Sequence, residues 1–467
     1  MRDPIICEIR CPIHGFIGLN EFERRIIDHP VFQRLRRIRQ LAWTDHVYPS
    51  AMHTRFEHSL GVMHVASKLY DAIVANSSEI LQSTFGYTET GLLRDRQKVR
   101  LAALLHDIGH SPFSHGSEDL FPEKPSIEAK ASDAAIKKAD PKHFKHEDYS
   151  FALIRGPLRD AIDNDEWNRR NYGVTAEDVA AIIEGSPSAG PSLFWRDLLS
   201  GQLDADRMDY LLRDSHHTGV NYGKFDLHRI IATVLAFNDK KRGLKTPRIG
   251  IKSGGWHAAE ALILARYYMH KQVYFHKTRA AYDIHLHGAM EILLPGGKFP
   301  SPSPENLGEY LKWDDWKVLG LLAAGEGGED GKRLLTRNHY RLVYQSRENR
   351  PDIEALISSQ DELRRVKEAL KDLVVATKTY PNTWYKLSTV DIPVVDDHDL
   401  DDVRPLSEYS SLLRGFSAQN QELLYVRPEN AIEAKLIVEE VLKTAPPEPQ
   451  LKIEFEAKKR KEVASAS

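Results

Sequence analysis

Apolar positions recur at helical spacing over roughly the first 290 residues of this chain. In "FQRLRRIRQLAW", Phe32, Leu35, Ile38 and Leu41 form one stripe. In "RFEHSLGVMHVASKLYDAIV", Val62, Val65, Leu69 and Ile73 form another, at steps of three and four. "VRLAALLHDIG" is apolar nearly all round, which predicts a helix central to a bundle, and Gly109 with Pro112 beyond it predicts a glycine C-cap. "GQLDADRMDYLLRDSHHTGV" and "WHAAEALILARYYMHKQVYFHKTRAAYDIHLHGAMEILL" complete the helical set. The intervening "SEDLFPEKPSIEAKASDAAIKKADPKHFKHEDYS" is polar and broken by prolines, so it is expected to be a flexible excursion.

The pattern changes after "LLPGGKFPSPSPENLG". "WDDWKVLGLLAAG" and "PDIEALISSQDELRRVKEALKDLVVAT" remain helical, "TWYKLSTVDIPVV" and "ELLYVRP" have the length and composition of strands, and "ENAIEAKLIVEEVLK" is a closing helix. The expected fold is mainly α. A helical core over residues 1–290 is followed by a smaller α+β lobe over 291–445, expected to serve assembly, and a flexible charged tail over 446–467.

Composition narrows the function little. A net charge of −3 gives no global pull toward nucleic acid or anionic lipid. No run approaches the ~18 apolar residues of a membrane span, and "MRDPIICEIR" lacks a signal-peptide core. Cys7 and Cys11 could form at most one short bridge, so a reducing cytoplasm is the expected compartment. The unusual feature is 21 histidines, many of them between His46 and His287.

Those histidines fall on buried faces. His58 shares the stripe of Val62, Val65 and Leu69. His106 shares that of Val99, Ala102 and Ala103, with Asp107 beside it, and Asp206 lies in "LDADRMDYLL". Two imidazoles and two carboxylates turned to one interior suit Mn²⁺, Fe²⁺, Zn²⁺ or Mg²⁺, as one or two ions. Separate hydrogen bonding explains any one of them better than a metal does, but not the four together. Asp206, Tyr210 and Asp214 fall at i, i+4 and i+8 with Arg207 bordering them, a ridge of ~12 Å that matches a phosphate–sugar–base ligand. Arg266, His270, Tyr274 and Lys277 repeat the idea on a second helix. An exposed salt-bridged face would explain the charges but not the paired tyrosines.

"HTRFEHSLGV", "LLHDIGHSPFSH", "KHEDYS" and "LDADRMDYLLRDSHHTG", with "PIHGFIGL" and "FQRLRRIRQL" upstream, resemble the HD-domain phosphohydrolases, and within them the deoxynucleoside triphosphate triphosphohydrolase branch. The likeness runs from about residue 8 to 290 and implies an HD-type helical bundle. It implies His58, His106, Asp107 and Asp206 as metal ligands and His115 as the catalytic histidine, with His110 and His146 in the same site. Glu118 stands where the branch usually has an aspartate that orients this histidine. The resemblance places Arg55, Arg207 and Arg266 on the phosphates, Arg207 replacing a lysine. It places Gln40 and Asp214 on the sugar 3′-hydroxyl, and Tyr210 and Tyr274 against the sugar, where Tyr274 crowds a 2′-hydroxyl. Leu41 and His270 join the substrate set. Asp28, Gln33 and Arg36, with Lys277, resemble an activator site for a guanine nucleotide or dNTP, which implies an oligomer, a tetramer first. The alternative for this last set is a cationic solvent face.

The reaction expected is attack at the α-phosphorus, with His115 protonating the leaving triphosphate oxygen and giving deoxynucleoside and inorganic triphosphate. A phosphodiesterase acting on short single-stranded nucleic acid would want an open basic groove with stacking aromatics, and the basic runs at 34–39 and "AKKRK" do not obviously make one. A nucleotide-sensing regulator without catalysis predicts damage among the ligands or at His115, and none is present.

Overall fold

The computed structural model describes residues 5–125, 143–239, 246–346, 353–380, 391–414 and 420–444. Most of the excursion, residues 383–390 of the strand expected over 383–395 and the tail from 446 lie outside the described residues; the described end of that strand is extended at Pro393–Val395. Two units are present. The larger holds residues up to Arg337 together with the described residues 391–414, and the smaller begins at Asn338.

The larger unit opens with an antiparallel hairpin, β1 (Cys7–Cys11) and β2 (Gly15–Leu19), which the sequence pattern did not reveal. Cys7 and Cys11 lie four residues apart on one strand, ~13 Å at strand rise, too far to bridge, and both are free thiols. Helix α1 (Glu21–Asp28) follows, with Asn20 and Glu23 making a capping box. The core helices are α2 (Arg55–Phe85), α3 (Glu89–Leu105), α4 (His146–Arg155), α5 (Ala176–Glu184), α6 (Ala205–Thr218), α7 (Trp256–Met269) and α8 (Lys277–Leu293). α2 runs through the middle, packed against α3 and α6. Its stripe of Val62, Val65, Leu69 and Ile73 is fully buried, as are Val99, Ala102 and Ala103 of α3.

Two local expectations change. Residues 30–41 do not form one helix: a turn of α-helix at Pro30–Gln33 passes to a 3-10 turn at Arg34–Arg37, and Ile38 is extended. Tertiary partners take the backbone groups a longer helix would use: Arg39 N–H donates to Asp315, Ser114 Oγ donates to Arg39 O, and Arg55 N–H donates to Ile38 O. The stripe is nevertheless buried, from Phe32 to Leu41. Gly109 is likewise not a left-handed C-cap, since α3 ends at Leu105 and the positive φ values fall on Phe113 (58°) and Ser114 (54°). Gly109 is required for space: a Cβ there would lie 2.2 Å from His146 O and 2.3 Å from Ser150 N of α4.

The boundary expected at 290 falls later. Leu286, Met290, Leu294, Phe299, Tyr310, Trp313, Val318 and Leu322 share a core with Trp43 and Phe113, so α8 through α9 (Asp315–Ala323) and α10 (Gly328–Thr336) pack with the helical core. A four-stranded sheet of order β3-β4-β7-β8 completes this unit, from Val234–Phe237, Arg248–Lys252, Pro393–Val395 and Val403–Pro405. The smaller unit is α+β. β5 (Arg341–Gln345), β9 (Gln421–Val426) and β6 (Val374–Tyr380) form an antiparallel sheet in that order, covered by α11 (Ile353–Leu370) and α12 (Ala431–Lys443) around Tyr344, Val366, Leu424, Ala434 and Val438. Among the described residues, no helix is long and apolar enough to cross a membrane.

Candidate metal centre and substrate pocket

Four side chains from three helices meet in the core. His58 comes from the first turn of α2, His106 and Asp107 from the end of α3, and Asp206 from the first turn of α6. His58 Nε2 lies 3.0 Å from Asp206 Oδ1 and 3.5 Å from Asp107 Oδ2; His106 Nε2 lies 3.3 Å from Asp107 Oδ1 and 3.6 Å from Asp206 Oδ1. Ligands about 2.1 Å from one shared ion stand about 3.0–3.4 Å apart, so this spacing suits a common cation. His58, His106 and Asp206 form the tightest group, while Asp107 is shared with Arg55, whose Nη1 donates to it.

Both imidazoles are oriented from behind. His106 Nδ1 faces Ala103 O at 2.8 Å, and His58 Nδ1 faces Asp209 Oδ2 at 2.8 Å, which turns both Nε2 atoms into the site. Asp209 is fully buried and accepts from His14 Nε2 (2.6 Å) and from Arg213 Nε and Nη2 (2.8 Å each). Sequence reasoning missed this support. The available signals were the i, i+4 pair Asp209–Arg213 and the histidine in "PIHGFIGL". Burial alone would lower His58, but Asp206 and Asp209 outweigh it and raise the imidazole to about 9. Burial opposes ionisation of Asp206 too, and the two histidines hold its carboxyl well below the usual range. Carboxylates that draw a proton onto an imidazole draw a divalent cation by the same attraction.

Gly61 lets α6 approach, since a Cβ there would stand 1.9 Å from Asp209 Oδ1 and 2.4 Å from Arg213 Nη2. Gly61→Ala is therefore expected to displace Asp209 and weaken metal binding by ~10–100-fold, although alanine is the better helix former, as titration calorimetry would show.

Beyond Asp107 the chain turns and presents a second cluster. Glu118 binds His115 Nδ1 at 2.9 Å through one oxygen and His146 Nδ1 at 2.6 Å through the other, and its Oε1 is 3.4 Å from His110 Nδ1. The longer glutamate arm thus reaches every histidine of the cluster. Burial would raise Glu118, but His115 and His146 hold it well below the carboxylate range; burial would lower His146, but Glu118 lifts it to about 9. His110 stacks on His146 at 3.9 Å and is driven down by burial, Arg55 and His146. His115 stands apart, with 60% of its side chain exposed.

The expected substrate residues continue along α6 and α7. Tyr274 donates to Asp214 Oδ2 at 2.7 Å, and His53 Nε2 lies 2.7 Å from Asp214 Oδ1, so both oxygens of Asp214 are fixed. His53 was not anticipated, although it opens the "HTRFEHS" motif. The Tyr210 and Tyr274 rings meet edge to face at 6.0 Å, and Gln40 and Leu41 are buried, Gln40 N–H donating to His53 O. Arg207 donates to Asp204 (2.7 Å) and to Gly201 O, and Arg55 Nε donates to Ser114 Oγ at 2.9 Å. His270 is partly buried, and among the described residues neither ring nitrogen is hydrogen-bonded; burial, then Arg266 and Arg207, push it down to about 3, so it is neutral.

Lys277 does not continue the ridge of Arg266, His270 and Tyr274. Residues His270–Tyr274 form a π-helical turn, the chain breaks at His276, and Lys277 opens α8. Of the other expected activator residues, Gln33 donates to Ile27 O, Arg36 donates to Gln33 Oε1 at 2.9 Å and lies 3.5 Å over the Phe56 ring, and Asp28 is exposed beside Arg24.

Residues 55–214 match the HD domain, and residues 225–451 match the HD associated region. The chain belongs to the HD-domain phosphohydrolase superfamily. Within the superfamily it falls in the branch resembling the dNTP triphosphohydrolases. The uncharacterized protein YwfO of Bacillus subtilis is 32% identical over 352 residues, covering 71% of this chain and 70% of that one. The deoxynucleoside triphosphate triphosphohydrolase SAMHD1 of Homo sapiens is 28% identical over 367 residues, 72% of this chain and 54% of that one. A crystal structure of a hypothetical protein from Aquifex aeolicus superposes with a TM-score of 0.70 at 26% identity, covering 92% of this chain and 99% of that one. The chain spans about half the length of most curated relatives it matches.

Proposed function

We propose that this protein hydrolyses deoxynucleoside triphosphates to deoxynucleoside and inorganic triphosphate. The observation that carries the reading is the continuity of two sites along α6. Asp206, a candidate metal ligand, lies two turns from Asp214, whose carboxylate is locked by Tyr274 and His53. A phosphate held at Asp206 places its sugar against Tyr210, Tyr274 and Asp214. Tyr274, pinned through its hydroxyl, is a rigid wall where a 2′-hydroxyl would sit.

A divalent cation held by His58, His106, Asp107 and Asp206 supplies positive charge to the phosphate oxygens and lowers the pKa of water. Arg55, Arg207 and Arg266 hold the phosphate chain, Arg55 and Arg207 exchanging Asp107 and Asp204 for it. The products fix the bond that breaks. Water adds to the α-phosphorus, the P–O5′ bond breaks, and all three phosphorus atoms leave together. The proton from His115 therefore goes to the nucleoside O5′ and not to a triphosphate oxygen. Glu118 at His115 Nδ1 stabilises the charged ring and leaves Nε2 to donate. An alkoxide is a poor leaving group, so this proton matters.

Nucleotide activation at Asp28, Gln33 and Arg36, and an oligomer built around it, accompany the proposal. The test is product analysis with each dNTP, singly and mixed, with Mn²⁺ or Mg²⁺. Intact triphosphate and deoxynucleoside are expected; turnover confined to mixtures or to added guanine nucleotide supports the activator set. Folded, metal-loaded protein that turns over no dNTP overturns the proposal and directs attention to oligonucleotides.

A further inference from the structure

Besides its backbone, His115 is held by Glu118 at Nδ1 and by edge-on ring contacts with His110 (4.9 Å) and His146 (5.5 Å). Its ring is mostly exposed, and among the described residues its hydrogen-bond partner is Glu118 alone. Glu118 fixes the rotation of the ring, and where Nε2 then lies depends on the turn that carries the residue. That turn contains two consecutive non-glycine residues, Phe113 and Ser114, in the left-handed region. Such a pair is costly and persists only where the surroundings over-determine it.

The surroundings come largely from a segment 200 residues away in sequence. Asp315 Oδ1 accepts from Phe113 N–H at 2.7 Å, and Oδ2 accepts from Arg39 N–H at 2.9 Å. Ser114 Oγ, in turn, donates to Arg39 O at 2.6 Å, closing a ring of contacts around the turn. Tyr310 donates to Gly109 O (2.6 Å), and Arg34 joins His110 O (2.9 Å) to Trp313 O. Asp315 is not needed to cap its own helix. Asp314 does that, accepting from Lys317 N–H, which leaves both oxygens of Asp315 for Phe113 and Arg39.

We propose that Asp315 is a positioning residue for His115, its two carboxylate oxygens fixing the left-handed turn that aims the histidine at the leaving O5′. This rests on the reaction proposed above. The residue lies outside the span matching the HD domain, so the associated region contributes to the chemistry by holding the acid in place.

The test compares wild type with Asp315→Ala and Asp315→Asn on a dNTP and on its 5′-thio analogue, whose thiolate leaves without a proton because thiol pKa values lie near 8.5. For Asp315→Ala, kcat on the dNTP is expected to fall ~10–100-fold, the range typical of lost outer-shell partners, with KM and metal content unchanged. On the thio analogue the fall should be within about threefold. Asp315→Asn, which keeps one acceptor, should lie between, and serves alone if Asp315→Ala does not fold. Equal losses on both substrates, or unchanged kcat on the dNTP, overturn the proposal. Should wild type turn over no dNTP, the reaction assignment fails, and a crystal structure of Asp315→Asn decides Asp315 separately: a displaced 113–115 turn supports the role, an unmoved one ends it.

Discussion

Asp206→Asn is expected to lower the rate of hydrolysis by ~10³-fold or more and to empty the metal site together with it. The carboxylate is the one charged ligand contributed by α6, and it faces both His58 and His106. An amide keeps the shape but removes the charge that draws a cation between two imidazoles. If the cation supplies about 4 kcal/mol of transition-state stabilisation, its loss costs about three powers of ten. Elemental analysis and initial rates should therefore fall together. Asp209→Asn should be milder, ~10–100-fold in metal affinity, because it only orients His58. Metal loading also acquires a pH dependence. His58 holds a proton up to about 9, since its carboxylate neighbours outweigh burial. A metal must displace that proton, so affinity should weaken as pH falls below about 9, with proton release measurable in buffers of differing ionisation heat. An Asp206→Asn protein that retains both its metal and its rate would remove α6 from the centre.

How much of this was legible depends on how far each residue's job is local. His58 and His106 could be assigned an inward face because each continues an apolar helical stripe, and the structure brings both against Asp206. The mainly α core and the smaller α+β unit follow from the same periodicity. The boundary at 290 was drawn from a proline-rich loop, whereas the core joining Trp43 and Phe113 to Tyr310, Trp313 and Leu322 carries the larger unit on through α10. Gly109 was read from the usual chemistry of helix ends, but its reason is the close passage of α4. Lys277 was extrapolated along an ideal helix, and a π-turn has no signature in a single sequence. The β1–β2 hairpin and the short strand at Arg248–Lys252 hold too few residues for alternation to stand out. Asp315, His14 and His53 act across 100 residues or more, and such partnerships cannot be read from spacing.

His115→Ala tests the chemistry rather than the scaffold. The P–O5′ bond releases an alkoxide, and a positioned general acid contributes ~10²–10⁴-fold to such a step. His115 is the exposed member of its cluster, backed at Nδ1 by Glu118, while His110 is buried and held neutral and His146 is bound to the other oxygen of the same carboxylate. A rate loss of that size on dNTPs is expected, with the ion of His58, His106 and Asp206 retained, since His115 lies outside that group and belongs to the separate cluster with His110, Glu118 and His146. The 5′-thio analogue should recover most of the loss, because its leaving group needs no proton. Glu118→Gln should show the same contrast more weakly, ~10–100-fold on the dNTP, as the ring is left without its charged partner. A deficit in His115→Ala that persists undiminished on the thio analogue would assign the residue to phosphate binding and leave the proton to another group, His146 being the nearest charged candidate.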